Sequence, residues 1–356
     1  MRPVHFLLAA TALAATALAA SSASAAEAIV SAAPEPQYVR VCDAFGSGYF
    51  YIPGTETCLK TGGYLRVEAS AGDPNGQDTS PGGGGDSWST RSRLALRVGT
   101  ATDTEFGALT TFAEARLQND DNGPTEIDLE DGFVELGGLR IGYSDTLYAQ
   151  FTGYAGNTIN DYYDVDYGDF ARTQIRYTYD TGRGLSFAAA AEDGTDDNTP
   201  FVLPDENRAA DGYMPDLVAA VGYDGGSFRV RAVGGYDESV KAGALKLRVD
   251  GSLGPVELFA MGGWNTDGDQ PNNYARWSGD WALWVGGSIR MTEKATMNAS
   301  ANFDDGGDTE AALNLTYTIV PGFTVTPELN YRNRMDEKAG SEAEDWGGVI
   351  RLQRNF

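Results

Sequence analysis

The chain of 356 residues is strongly acidic, with 26 Lys and Arg residues against 51 Asp and Glu residues and a formal net charge of -25. A chain of this charge does not attract nucleic acid through its overall electrostatic field, so we expect no nucleic-acid partner. The single histidine, His5, lies in a predicted signal peptide, which removes His-dependent triads, acid–base catalysis and metal sites from the mature chain. We therefore expect no enzyme activity, no cofactor and no histidine-based metal site. Acidic clusters such as Asp120-Asp121, Asp196-Asp197 and Asp304-Asp305 could offer oxygen ligands to Ca²⁺, but a hard cation needs several converging oxygens, so solvated loops are expected there and no metal site.

Residues 1–25 have the features of a secretory signal peptide. Arg2 supplies the positive charge, residues 6–20 form an apolar run rich in Ala and Leu, and Ala23-Ser24-Ala25 provides small residues for cleavage. The apolar run is too short for a membrane-spanning helix. The mature chain is therefore predicted to be exported.

Residues 26–62 are predicted to form a periplasmic arm that precedes the main domain. Pro34 and Pro36 disfavour regular structure near its beginning. Cys42 and Cys58 are the only cysteines, and Gly and Pro residues occupy the stretch between them. In an oxidising compartment this pattern predicts a disulfide that closes a loop.

Residues 63–356 show alternating apolar and polar side chains in short segments. In residues 323–335, one face carries Phe323, Val325, Pro327, Leu329 and Tyr331, and the other carries Thr324, Thr326, Glu328, Asn330, Arg332 and Arg334. This period of two indicates β-strands with one face suited to lipid and one suited to water.

Sixteen such segments are predicted. They begin near residues 63, 88, 107, 126, 139, 171, 185, 215, 227, 243, 255, 281, 293, 310, 323 and 344. Short turns alternate with longer connections rich in Gly, Asp, Asn or Pro, as expected for periplasmic turns and extracellular loops. The sequence therefore predicts an all-β fold, a 16-stranded antiparallel transmembrane β-barrel in the cell outer membrane, wide enough to leave an aqueous channel. Within residues 126–137 the apolar parity changes, which predicts either a β-bulge or a misplaced strand boundary.

The predicted strand ends carry outward aromatic residues, as two membrane interfaces require. Those at outer ends are Tyr236, Trp264, Trp281, Tyr331 and Trp346; those at periplasmic ends are Tyr177, Tyr179, Tyr223, Phe228, Phe323 and Phe356. Phe356, as a C-terminal aromatic residue, resembles the signal that the barrel assembly machinery reads in outer-membrane proteins. We expect outer-membrane lipid and lipopolysaccharide to surround the barrel.

Residues 39–68, VRVCDAFGSGYFYIPGTETCLKTGGYLRVE, resemble the N-terminal signature of the alphaproteobacterial porin family. The similarity includes both cysteines, the YFYIPGTETC block and the Gly-Tyr-x-Arg start of the first strand. It implies a homotrimeric, passive diffusion channel for small hydrophilic solutes, in which the third loop folds inward as a constriction. By strand order that loop is residues 148–170.

The charged residues of the lumen predict how such a channel would select solutes. A basic wall is expected from Arg66, Arg91, Arg93, Arg97, Arg116, Arg332, Arg334 and Arg351, on strands that barrel closure makes neighbours. The facing loop offers Asp161, Asp164, Asp166 and Asp169. Opposed charges favour polar solutes, and the excess of carboxylates predicts a weak preference for cations.

Two other functions remain open. A substrate-specific channel would need aromatic stacking positions in the lumen, for which the inward parity offers Tyr64, Phe112, Phe259 and Trp284. An adhesin would use the acidic surface loops as its binding surface.

Overall fold

A computed structural model describes residues 40–72, 88–159, 165–168, 171–194, 213–270, 272–336 and 341–356. The predicted signal peptide and the first part of the predicted arm lie outside these residues. The described chain is almost entirely β-structure.

Seventeen strands, one short α-helix and one 3-10 turn (Asp43–Phe45) are present among the described residues. The strands are β1 (Phe50–Tyr51), β2 (Cys58–Ala71), β3 (Trp88–Thr104), β4 (Gly107–Asp120), β5 (Thr125–Leu136), β6 (Leu139–Asp145), β7 (Ala171–Asp180), β8 (Leu185–Glu192), β9 (Asp216–Asp224), β10 (Phe228–Asp237), β11 (Ala242–Leu253), β12 (Val256–Asn265), β13 (Trp281–Arg290), β14 (Ala295–Asp304), β15 (Thr309–Val320), β16 (Phe323–Asp336) and β17 (Ser341–Asn355). The helix α1 (Leu147–Thr152) follows β6. No helix in these ranges is long and apolar enough to cross a membrane.

Strands β2–β17 close into one antiparallel barrel, which confirms the predicted fold. Each strand pairs with its sequence neighbours, and β17 pairs with β2 from Gly348↔Ala71 to Asn355↔Tyr64. The C-terminal Phe356 completes the closure, because its backbone N–H donates to the Gly63 carbonyl and its own carbonyl accepts from the Gly63 N–H, both at 3.0 Å. The barrel therefore joins its first strand directly to its last.

The predicted strand starts agree closely with the structure except at the first strand. β2 begins at Cys58 rather than near residue 63, because Leu59 and Gly62 pair with Thr100 and Arg97 of β3. The predicted disulfide is present between Cys42 and Cys58. It therefore fastens the preceding loop to the first barrel strand.

The predicted bulge lies in β5. Glu114 pairs with Asp131 and Ala115 pairs with Leu129, so Glu130 is the extra residue. The bulge explains the parity change and leaves apolar residues outward on both sides of it. It also places Glu130 in the lumen, 2.5 Å from a guanidinium nitrogen of Arg116.

Burial alternates as the sequence pattern predicted, with the polar residues inside the barrel and the apolar residues outside. In β15, Leu313 and Leu315 are 48% and 38% exposed, whereas Asn314 between them is 2% exposed. Outward aromatics occupy strand ends, where Trp264 pairs with Trp281 and Tyr331 pairs with Trp346. The apolar outer surface suits lipid, and the polar inner surface suits water.

We predict that Leu315→Arg, on the outward face, destabilises the folded barrel by about 2–4 kcal/mol, because the charge would enter hydrocarbon. The neighbouring substitution Thr316→Arg points into the lumen and should cost less than about 1 kcal/mol. Denaturant unfolding in lipid vesicles measures both. Equal losses would contradict the assignment of faces.

Candidate functional site

The third loop, which connects β6 to β7, turns into the barrel instead of continuing the wall over its described residues, 146–159 and 165–168. The Thr146 hydroxyl caps α1 by accepting a hydrogen bond from Ala149 N–H at 3.0 Å. The helix buries Leu147, Tyr148, Ala149 and Thr152 and packs against β8–β11. The loop therefore begins against the lumen face of the wall.

The outgoing limb of the third loop crosses the inner wall strand by strand. Arg231 of β10 donates to the carbonyl of Phe151 at 3.2 Å, and Arg248 of β11 donates to that of Tyr154. Three further contacts follow on β14, β15 and β16: Thr158 Oγ1 to Ser300 Oγ at 2.8 Å, Asn314 Nδ2 to Asn157 O at 3.0 Å, and Ile159 N to Glu328 Oε2 at 2.5 Å. The described loop therefore lines about half of the barrel.

The returning limb is held by two fully buried side chains of the wall. Trp284 donates its indole N–H to the Val165 carbonyl at 2.8 Å, and Lys246 donates to the Tyr167 carbonyl at 2.6 Å. Lys246 Nζ also lies 4.1 Å from the ring centre of Tyr148, so the Lys246 side chain packs between the two limbs of the loop. Burial raises the pKa of the Tyr148 phenol well above its usual value, so this ring stays neutral.

Glu192, at the end of β8, connects the third loop to a second loop inside the barrel. Its Oε1 accepts from the Leu147 N–H at 2.8 Å, and its Oε2 accepts from the Tyr274 hydroxyl at 3.0 Å. Tyr274 and Trp277 belong to the loop between β12 and β13 and are buried. The two loops therefore support each other in the lumen.

One of the four predicted loop aspartates lies within the described residues. Asp166 is 3.6 Å from Arg276 of the β12–β13 loop, and 17% of each of these side chains is exposed. Asp166 therefore contributes to the contact between the two loops. Asp161, Asp164 and Asp169 lie outside the described residues.

The eight predicted arginines lie on β16, β17, β2, β3 and β4, which are adjacent in the barrel. Six of them have a carboxylate partner: Arg91 with Glu68 and Asp120, Arg97 with Glu114, Arg116 with Glu114 and Glu130, Arg351 with Glu68, and Arg332 and Arg334 with Asp345. The other two bond to amides, Arg66 to Gln353 at 2.8 Å and Arg93 to Gln118 at 2.6 Å. The wall is thus a mixed network rather than a purely basic surface.

The carboxylates of this network were missing from the sequence-based site. Glu68 and Glu114 each lie two residues from a predicted wall arginine on the same strand, so the alternation places them on the same face. The alternation of inward and outward residues along these strands could therefore have identified both glutamates as lumen residues. By contrast, the burial of Tyr274 and Trp277 depends on where their loop folds.

Three of the four lumen aromatics are covered by other groups. Trp284 is fully buried beneath the third loop, Phe259 is 8% exposed under the Arg248 guanidinium, and Tyr64 is 3% exposed beneath Arg66 and Arg97. Phe112 packs against Phe133 at 5.6 Å. These rings support charged groups and do not form a stacking track for a substrate.

The arrangement is chemically a polar passage with a narrowed interior. Its wall presents guanidinium, carboxylate and amide groups, and the inward loop occupies the side from β8 to β16. Such a surface replaces part of the hydration of polar solutes and disfavours apolar ones.

Comparisons with known proteins agree with this geometry. The family model described as "Porin subfamily" matches residues 27–351. Porin Omp2b of Brucella neotomae and of Brucella suis are each 40% identical over 347 residues, covering 93% of this chain and 94% of theirs. The outer membrane channel DcaP of Acinetobacter baumannii has the same fold, with a TM-score of 0.66 at 18% identity over 86% of this chain and 99% of that chain.

The inward position of the third loop can be tested by a cross-link. We predict that Thr158→Cys with Ser300→Cys forms a disulfide, because the two side-chain oxygens are 2.8 Å apart and a disulfide needs a sulfur separation of roughly 2.05 Å. Pairing Thr158→Cys with Ala299→Cys is the control, since Ala299 points outward. Mass spectrometry of peptides would report each bond, and a bond in the control alone would contradict the placement.

Proposed function

Because this chain belongs to the porin family and forms a general diffusion channel of the outer membrane, we propose that its third loop is the element that narrows the passage. The observation that supports this proposal is the series of hydrogen bonds from the loop to the inner faces of β10–β16. A loop held at this many points keeps a constant aperture. Small hydrophilic solutes and ions would pass by diffusion, without a bound cofactor.

We further propose a weak preference for cations. Carboxylates already partner six of the eight wall arginines, which reduces the positive field of that wall. β5 adds Glu126 and Asp128, whose residues are exposed, beside the Glu130–Arg116 pair on the lumen side. Because the screening length is about 8 Å at physiological ionic strength, only charges near the narrow part act strongly on an ion, so the preference should be mild.

The selectivity proposal predicts a cation-positive reversal potential for the purified protein in planar bilayers under a salt gradient. Glu126→Gln with Asp128→Asn should reduce this potential, because it removes two lumen carboxylates. Glu257→Gln is a comparison variant, since Glu257 lies on the opposite wall at the beginning of β12. A clear anion preference would contradict the selectivity, and the absence of conductance steps would contradict the channel function itself.

We also propose that the protein is a homotrimer that associates through the outward face of β2–β5. This face carries small and hydroxyl side chains, namely Thr61, Ser92, Thr100, Thr111, Ala113 and Ala115. The same face also exposes Leu65, Val67, Leu96 and Val98 between these small residues, and the outward face of β11–β15 carries Leu245, Leu247, Val249, Leu258, Leu283, Leu313 and Leu315. Within lipid, burying apolar surface between two proteins gives little free energy. Association therefore depends on close packing and hydrogen bonding, which small and hydroxyl residues allow.

The edge of β5 supports the same interface. Among the described strands, β5 pairs with β6 only from Gly132 to Leu136, because β6 ends where the chain turns into the lumen. Residues 125–131 therefore pair with β4 alone, and Ile127 beside this edge is 71% exposed. An unpaired edge in contact with lipid is costly, and a neighbouring subunit would cover it.

The trimer proposal predicts that Ala113→Trp yields monomers, because the large side chain prevents close packing of the β2–β5 faces. Ala299→Trp is the matched control, an exposed alanine on the far side of the barrel that should remain trimeric. Native electrophoresis and single-channel recordings measure the result, with conductance steps in groups of three expected for the control and single steps for Ala113→Trp. Trimers of both variants would exclude this face.

We propose two further partners from the surface. Phe356 directly follows the last strand and is 62% exposed, which suits recognition by the barrel assembly machinery. The outward aromatics at the end of the barrel with the longer loops suit contact with lipopolysaccharide.

A further inference from the structure

Four adjacent strands, β17, β2, β3 and β4, bring lumen side chains into horizontal rows through their register. In one row Arg351 pairs with Glu68, Glu68 with Arg91, and Arg91 with Asp120. Charges alternate along this row, and each cation has a carboxylate partner. Alternation is the arrangement that cross-strand neighbours favour.

The adjacent row of the same four strands has a different composition. Gln353 pairs with Arg66, Arg66 pairs directly with Arg93, and Arg93 pairs with Gln118. The two arginines thus face each other, and the positions that hold acids in the neighbouring row hold amides here. In the described ranges, neither guanidinium has a carboxylate within the ion-pair distance of 4.0 Å.

The hydrogen bonds of this row leave the outer ends of both guanidinium groups available. Each arginine donates through Nε, Arg66 to Gln353 Oε1 and Arg93 to Gln118 Oε1. The Arg66 guanidinium lies 4.7 Å from the ring centre of the buried Tyr64, and this cation–π contact helps to hold the guanidinium in place. The terminal nitrogens are therefore oriented donors without an anionic partner among the described residues.

Directly opposed like charges destabilise a sheet. An anion bound between Arg66 and Arg93 would offset the electrostatic repulsion between their guanidinium groups. Two guanidinium groups match a carboxylate or phosphate group, which accepts several hydrogen bonds at once. Carboxylate and phosphate share this chemistry. The row is therefore suited to an oxyanion and not to a halide of small hydrogen-bonding capacity.

We propose that Arg66 and Arg93 form a binding site at which the carboxylate or phosphate group of a permeating solute pauses. The inference rests on the proposed channel and deepens it, because it assigns a solute class to one place on the wall. A local anion site is compatible with a weak overall preference for cations, since the surrounding carboxylates set the average field. Solutes with an anionic group and a polar body would gain most.

The test measures block of single-channel current in planar bilayers by added inorganic phosphate, and separately by acetate, in potassium chloride. Wild-type channels should be blocked at a defined phosphate concentration. Arg66→Gln with Arg93→Gln should raise the half-blocking concentration by roughly tenfold or more, as expected for the loss of charge-assisted hydrogen bonds. Acetate should behave in the same direction if the site recognises oxyanions generally, and block by phosphate alone would assign the site to phosphate.

A second variant keeps both arginines but gives each guanidinium group a carboxylate partner within the protein, so that neither is free to bind a solute anion. Gln118→Glu with Gln353→Glu would give each guanidinium a carboxylate partner and should weaken phosphate block to the same extent. Arg97→Gln is the matched control, because it removes one lumen cation that Glu114 already engages, and it should change the half-blocking concentration by less than about twofold. Its expected effect is on ion selectivity alone.

Three outcomes would overturn the proposal: no phosphate block of wild-type channels, unchanged block in the Gln→Glu variant, or an equal loss of block in Arg97→Gln. Each leaves the channel function intact. Channels that never open would instead contradict the proposed function. Circular dichroism of each variant verifies that the barrel is folded before current is compared.

Discussion

The need to satisfy every backbone hydrogen bond within the membrane determines the rest of this structure. Hydrocarbon offers no partner to an unpaired N–H or carbonyl, so a spanning sheet must close on itself. Here closure joins the first barrel strand to the last, and the hydrogen bonds between Gly63 and Phe356 complete it. An apolar outer surface and a polar inner surface then follow from the alternation of side chains.

The lumen compensates for its buried polar groups with local networks. The side occupied by the third loop buries Lys246, Glu192 and Trp284, and each of these donates to or accepts from the loop backbone. The opposite side pairs arginines with carboxylates on neighbouring strands. A buried polar group is costly only when it lacks a partner, and these two networks supply partners in different ways. The loop and the charged wall therefore share one passage, and a buried apolar cluster that includes Tyr148, Val165, Tyr167, Met261 and Trp284 packs the loop against its side of the wall.

Much of the barrel was predictable because membrane strands are encoded locally. The alternation around Leu313 and Leu315, the turn glycines and the parity change near Glu130 all depend on residues close in sequence. The arginine positions followed from the same parity. Asp166 illustrates the limit, since its pairing with Arg276 joins two loops whose folding no local pattern describes. The first strand was predicted to start late because the cysteine loop obscured its beginning.

The sequence by itself determined the membrane barrel, its strand number, its inner and outer faces and the Cys42–Cys58 disulfide, since these depend on period-two patterning, turn residues and cysteine count. Only the tertiary structure decided which lumen charges meet. Pairing of Arg351 with Glu68, and of Arg66 with Arg93, depends on the register between strands far apart in the chain. Register is a property of the closed sheet. The sequence therefore could not show which arginines pair with carboxylates, or that Arg66 and Arg93 face each other.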